Sequence, residues 1–188
     1  MNYFKYFIFS ILLTSCGNTS RDGKNGNDSA FFYPVTDFLQ YQIHTADSLA
    51  EKIILYTTTG TKKDTVEITR LQFRNIAGAF TEINIADPGL QQFYRQSFFL
   101  DITTGSYIYS YVCDNSSLPL RTMDILLDTA TTVVRRIVIT KNFVNGDSTI
   151  IEKMGWKTDH SFFINRIILP TDNAEVTEQL EVNWTLKK

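Results

Sequence analysis

The sequence is poor in the residues that usually announce a chemistry. Among its 188 residues are two histidines and two cysteines. His44 and His160 stand far apart, whereas most zinc sites need three or four His, Cys or carboxylate ligands, so no metal is expected. There is no glycine-rich phosphate loop, no His-Glu-x-x-His pair, no Gly-x-Ser-x-Gly elbow, no Cys-x-x-Cys pair and no EF-hand loop. Without these the chain reads as non-enzymatic, with no cofactor. An excess of one charge is missing too: 18 basic and 20 acidic residues leave a formal charge of −2. A nucleic-acid partner is not expected, because such binders carry a concentrated positive footprint. Arg135-Arg136 and Lys62-Lys63 are the densest basic pairs, but neighbours on a strand point to opposite faces, so neither pair is expected to form a patch.

Also absent is an apolar run long enough to cross a bilayer. The run at 6–13 is broken only by Ser10 and has roughly eight residues, against the ~20 a spanning helix needs. It follows the single charge of Lys5 and closes on Leu13-Thr14-Ser15-Cys16, the arrangement of a secretory signal. Residues 1–15 are therefore expected to be cleaved, leaving Cys16 first.

What is present is a foldable domain. Hydrophobic residues make up 43% and charged residues 20%, and 14 Phe, 9 Tyr and 2 Trp exceed what a disordered chain carries. Residues 16–30 contain no large apolar side chain and read as a flexible tether, which leaves 31–188 as one globular domain. Helix is expected at about 34–50, where Val35, Phe38, Leu39, Ile43, Ala46 and Leu49 recur at three- and four-residue spacing. A hairpin follows over 53–69, then a helix capped by Thr69 through about Ile83, and a short helical segment opening at Asp87-Pro88 and running to about Gln96. Beyond Gly105 the segments 106–113, 121–128, 133–142, 148–157, 161–169 and 176–186 read as strands, and Asn145-Gly146 signals a type I′ turn. Together these predict an α+β fold: a curved antiparallel β-meander of about six to eight strands covered by one or two N-terminal helices. A half-open β-barrel is the alternative. In the last strand Val176, Glu178, Leu180, Val182, Trp184 and Leu186 share one face. Thr177, Gln179, Glu181, Asn183 and Thr185 share the other, which is expected to meet solvent or an aqueous concavity.

Candidate binding residues are aromatic. Tyr107, Tyr109 and Tyr111 form a ladder at alternate positions, read either as core packing with satisfied hydroxyls or as the wall of a groove for an apolar or sugar-like ligand. Carboxylates are read structurally: Glu178 and Glu181 face opposite sides, Asp124 and Glu152 fall within strands, and Asp114, Asp128 and Asp159 sit near turns. Cys113 reads as a buried, inert thiol without a disulfide partner once Cys16 is consumed.

Leu13-Thr14-Ser15-Cys16 resembles the bacterial lipobox. That resemblance implies diacylglycerol on the Cys16 thiol and acylation of the new amino group; several chains at ~0.8 kcal/mol per buried methylene would hold the domain at a membrane. With the asparagine-rich tether and the following Phe-Phe-Tyr-Pro-Val-Thr-Asp-Phe-Leu, the chain is similar to uncharacterised lipoproteins of Bacteroidota. The similarity implies the cell envelope and no particular activity. Gly17-Asn18-Thr19-Ser20-Arg21 lacks the acidic cluster common after the cysteine of surface-exported members, which favours an outer-membrane anchor facing the periplasm. The expectation is thus a non-enzymatic envelope lipoprotein, attached to the membrane through lipid on Cys16, that binds an apolar ligand or a partner protein. The alternative is an assembly scaffold that contacts another envelope protein through a sheet edge or its helix layer. A hydrolase built from distant residues ranks third.

Overall fold

The computed structural model describes residues 32–172 and 174–187. The signal segment, Cys16 and the tether lie outside the described residues. The first helix, α1 (Val35–Leu49), follows Pro34 and buries Val35, Leu39, Gln42 and Ala46, the stripe its apolar spacing requires. Leu49, expected on that stripe, is exposed at the helix end. The chain turns directly into the hairpin β1 (Ala50–Thr59) and β2 (Lys62–Glu67). Thr69 then opens α2 (Arg70–Ala77) with a reciprocal capping box. Its side chain accepts from the Gln72 N–H, and the Gln72 side chain accepts from the Thr69 N–H. At Gly78 the helix tightens into a 3-10 turn, Gly78–Phe80, short of the Ile83 end expected. A further short helix, α3 (Pro88–Gln91), is capped by Asp87.

Seven strands follow: β3 (Tyr94–Asp101), β4 (Ser106–Cys113), β5 (Leu120–Asp128), β6 (Val134–Asn145), β7 (Ser148–Lys157), β8 (Ser161–Pro170) and β9 (Val176–Leu186). All nine strands form one antiparallel sheet in the order β2-β1-β9-β8-β7-β6-β5-β4-β3. The sheet does not close into a barrel, and the molecule is mostly β, so the α+β expectation holds only for the meander and its helical cover. The strand beyond the expected count is β3, where helix was expected through Gln96. Asp87-Pro88 does start a helix, but it ends at Gln91. The β6–β7 turn also shifts by one residue. Asn145 pairs with Ser148, so the loop is Gly146-Asp147, and of these only Gly146 has positive φ (59°), the first loop position that a type II′ turn reserves for glycine.

One face of the sheet is covered and holds the core. Phe73 of α2 meets Trp184 edge-on at 5.5 Å and Phe162 at 6.0 Å, Phe80 meets Trp156 at 5.2 Å, and Trp156 stacks on Phe162 at 5.1 Å. Gln42, buried on α1, is anchored at both ends of its amide. Its Nε2 donates to Asp159 Oδ1 (2.9 Å), and its Oε1 accepts from the Asp159 N–H (2.8 Å) and from Trp156 Nε1 (3.4 Å). This pins α1 to the β7–β8 turn and satisfies a polar group that would be costly to bury alone.

Candidate functional site

The tyrosine ladder lies on the covered face. Tyr111 is fully buried, stacks with Phe32 at 5.2 Å, and its hydroxyl accepts the Tyr33 N–H at 2.9 Å. Burial pushes the Tyr111 hydroxyl above its ordinary range, partly opposed by that hydrogen bond. Tyr107 and Tyr109 are half-buried and sit beside Phe98 of the edge strand, at ring distances of 5.5 and 4.6 Å. The ladder is thus core at Tyr111 and partly open at its other two rungs.

Among the described residues the opposite face carries no helix, and its middle strands form a groove of about 550 Å³, within the usual range for ligand pockets. Strand alternation decides its lining. Tyr56 and Thr58 of β1, Gln179, Glu181 and Asn183 of β9, Phe163 and Asn165 of β8, and Lys157 of β7 all project from this face. At its floor Gly155 stands opposite Phe163, whose ring occupies the space a side chain at 155 would take: a Cβ there would lie 2.6 Å from Phe163 Cζ. His160, in the β7–β8 turn, closes one end.

Toward β6 the groove becomes cationic, through a break in strand regularity. Leu126 pairs with Arg136 but Leu127 pairs with Val134, so Arg135 is an extra residue in a β-bulge. Val134 and Ile137 are both buried, and Arg135 and Arg136 between them are both exposed. The bulge overturns the expectation that these arginines point apart: together with Lys157, Thr104, Ser106 and Leu126 they line a cleft of about 220 Å³. This cleft shares Arg136 and Lys157 with the larger groove. Arg136 is paired directly across from Lys157, a like-charge pairing that destabilises a sheet. Among the described residues neither has an ion-pair partner.

No family model, curated protein or solved structure matches this chain. The chemistry of the groove rests on its own geometry.

A second polar cluster, unforeseen from the sequence, closes the covered face at the other end. Lys141, Glu152, Arg166 and Glu178 face the same side in consecutive strand pairs. Lys141 and Glu152 are 5% and 3% exposed. The Lys141 ammonium donates to the Ala79 carbonyl (3.0 Å) and to Glu82 (2.9 Å), and lies 3.7 Å from Glu152; Glu152 also accepts from Arg166 Nε at 2.6 Å. The charges of Lys141, Glu152 and Arg166 are mutually satisfied, and Lys141 ties the segment after α2 to the sheet, with a cavity of about 380 Å³ beside them. Cys113 is half-buried, with its thiol 3.4 Å from the Asn115 carbonyl. His44 is exposed on α1. Among the described residues no group of three or more His, Cys, Asp or Glu is placed to hold a metal, and no helix is long and apolar enough to cross a membrane.

Proposed function

We propose that the protein is an envelope lipoprotein, anchored through lipid on Cys16 to the outer membrane and facing the periplasm, that binds a ligand without transforming it. One observation carries this reading. Aromatic, amide and cationic side chains from five strands converge on one groove of about 550 Å³, on a face that no helix among the described residues covers. A set of groups aimed outward from a rigid sheet suits recognition, and an open, helix-free face leaves a tethered domain accessible. The half-exposed Tyr107 and Tyr109 beside Phe98 are where an apolar ligand would bind instead.

The test is native mass spectrometry of the full chain extracted from its own membranes, beside a denatured control. The expected result is a small molecule released on denaturation and lost in Phe163→Ala. A ligand that co-purifies equally with Phe163→Ala and is lost in Tyr109→Ala would move the site to the ladder. A ligand-free wild type that captures a second protein in the same extract would favour an assembly scaffold. For that second reading the supporting observation is the edge strand β3, where Phe98, Phe99, Leu100 and the adjacent Ile102 are all about half or more exposed.

A further inference from the structure

We propose that the groove takes an acidic saccharide and seats its anionic group between Arg136 and Lys157, an inference that rests on the binding reading above. The cationic end carries the first part of the argument. Arg136 and Lys157 are cross-strand neighbours of like charge, without an ion-pair partner among the described residues, and the bulge adds Arg135 to the same face. A sheet gains nothing from such a pairing, whereas an anion placed between the two relieves the repulsion, and a guanidinium fork suits a carboxylate, sulfate or phosphate ester. The chain as a whole carries a formal charge of −2, so this concentration of positive charge is local.

The remainder of the lining selects the class of molecule. Asn165, Gln179 and Asn183 each offer a donor and an acceptor on a planar amide, the complement of a row of hydroxyls, and Glu181 accepts between them. Tyr56 on β1 and Phe163 on β8 flank Glu181 of β9 from either side and supply apolar rings on which the C–H face of a sugar can rest. An acyl chain would strip water from these amides and return no hydrogen bond. An extended peptide gains most of its affinity by adding to a free strand edge, and the strands that line the groove, β1, β9, β8, β7 and β6, are each paired on both sides. A groove open along its length accommodates a chain of sugar units.

The experiment is calorimetric titration of the full chain in detergent. The probes are a galacturonic-acid tetramer, its methyl ester, which has the same rings without the charge, and a sulfated chondroitin tetramer. The expected result is binding of an acidic probe about tenfold or more tighter than the ester, with the preference weakening as salt is raised. Arg136→Gln with Lys157→Gln should remove the preference and leave the melting temperature unchanged or higher, because both side chains are exposed and unpaired. Phe163→Ala should weaken ester and acid alike. Tighter binding of the chondroitin probe than of the galacturonate, lost when the chondroitin is desulfated, would identify a sulfate ester as the anion, and tighter binding of the galacturonate a carboxylate. Equal affinity for acid and ester overturns the role of the two cations. No affinity for any of the three, with a non-sugar ligand co-purifying in the mass spectrum, overturns the saccharide class but leaves the binding reading standing. No affinity and no co-purifying ligand would overturn both.

Discussion

Phe163 on β8 lies across Gly155 on β7, its ring filling the volume that any other residue at 155 would need. The two positions make one unit: glycine weakens a strand by leaving nothing to pack, and a ring from the next strand covers the gap. That unit is the floor of the open-face groove. In Gly155→Ala the new Cβ would stand 2.6 Å from Phe163 Cζ, and the ring, as the free end of a side chain, must swing into the groove. The expected cost is about 1–3 kcal/mol, with ligand binding lost. In a Phe163→Ala background the same change should cost almost nothing. A double-mutant cycle by urea unfolding measures that coupling, and additive effects would contradict the unit.

Lys157→Glu replaces a like-charge cross-strand pair with an attractive one. A gain of about 0.2–1 kcal/mol in unfolding free energy is expected, with loss of acidic-ligand binding. Stability and function moving in opposite directions would mark Arg136 and Lys157 as retained for recognition. A destabilised variant would mean that the lysine contributes structurally.

Glu152 holds two cations at once, Lys141 and Arg166. Glu152→Ala leaves the buried Lys141 ammonium with the exposed Glu82 as its one carboxylate, beside the Ala79 carbonyl, and should cost about 3–5 kcal/mol. Lys141→Met should cost less, because Glu152 keeps Arg166 at 2.6 Å. Chemical denaturation of both variants checks the order, and a larger loss for the lysine variant would refute this account of the cluster.

Asp114 and Asp128 give the domain an acid-sensitive component. The hydrogen bond from Arg95 holds the Asp114 carboxyl below its usual range, and N–H groups of Thr131 and Ala130 do the same for Asp128. Since the folded values lie below the unfolded ones, this stabilisation is complete above the ordinary carboxylate value of ~3.9 and is lost as pH falls through the folded values. Asp128→Ala should therefore flatten the decline of melting temperature on the acid side and lower the plateau at neutral pH. An unchanged acid limb would show that the turn contributes nothing.

Cys16→Ala should abolish incorporation of labelled fatty acid and release the chain from the membrane fraction. A variant that still fractionates with membrane would sink the lipobox reading.

Much of the fold was legible because it is periodic. The α1 stripe, the Thr69 cap and the alternation of β9 are local patterns, and α1, the start of α2 and β9 stand where those patterns put them. β3 was hidden for a physical reason: it is an edge strand, so Arg95, Phe98, Phe99 and Leu100 are exposed with no alternation to read, and the helix signal of Asp87-Pro88 ran into it. The row of buried Lys141 and Glu152 with half-buried Arg166 was hidden because its members are consecutive in space but lie on three different strands.

The groove shows the same division. The wet face of β9 was visible in Gln179, Glu181 and Asn183, and either plain solvent or an aqueous concavity was expected on that side. Which way residues face along each regular strand followed from the order of amino acids, because a period of two needs only nearest neighbours. Only the tertiary structure decided the register that sets Arg136 against Lys157, the bulge that turns Arg135 to the same side, and the pairing that lays Phe163 over Gly155. Those depend on how two strands align, and alignment is a property of the sheet that no single strand carries.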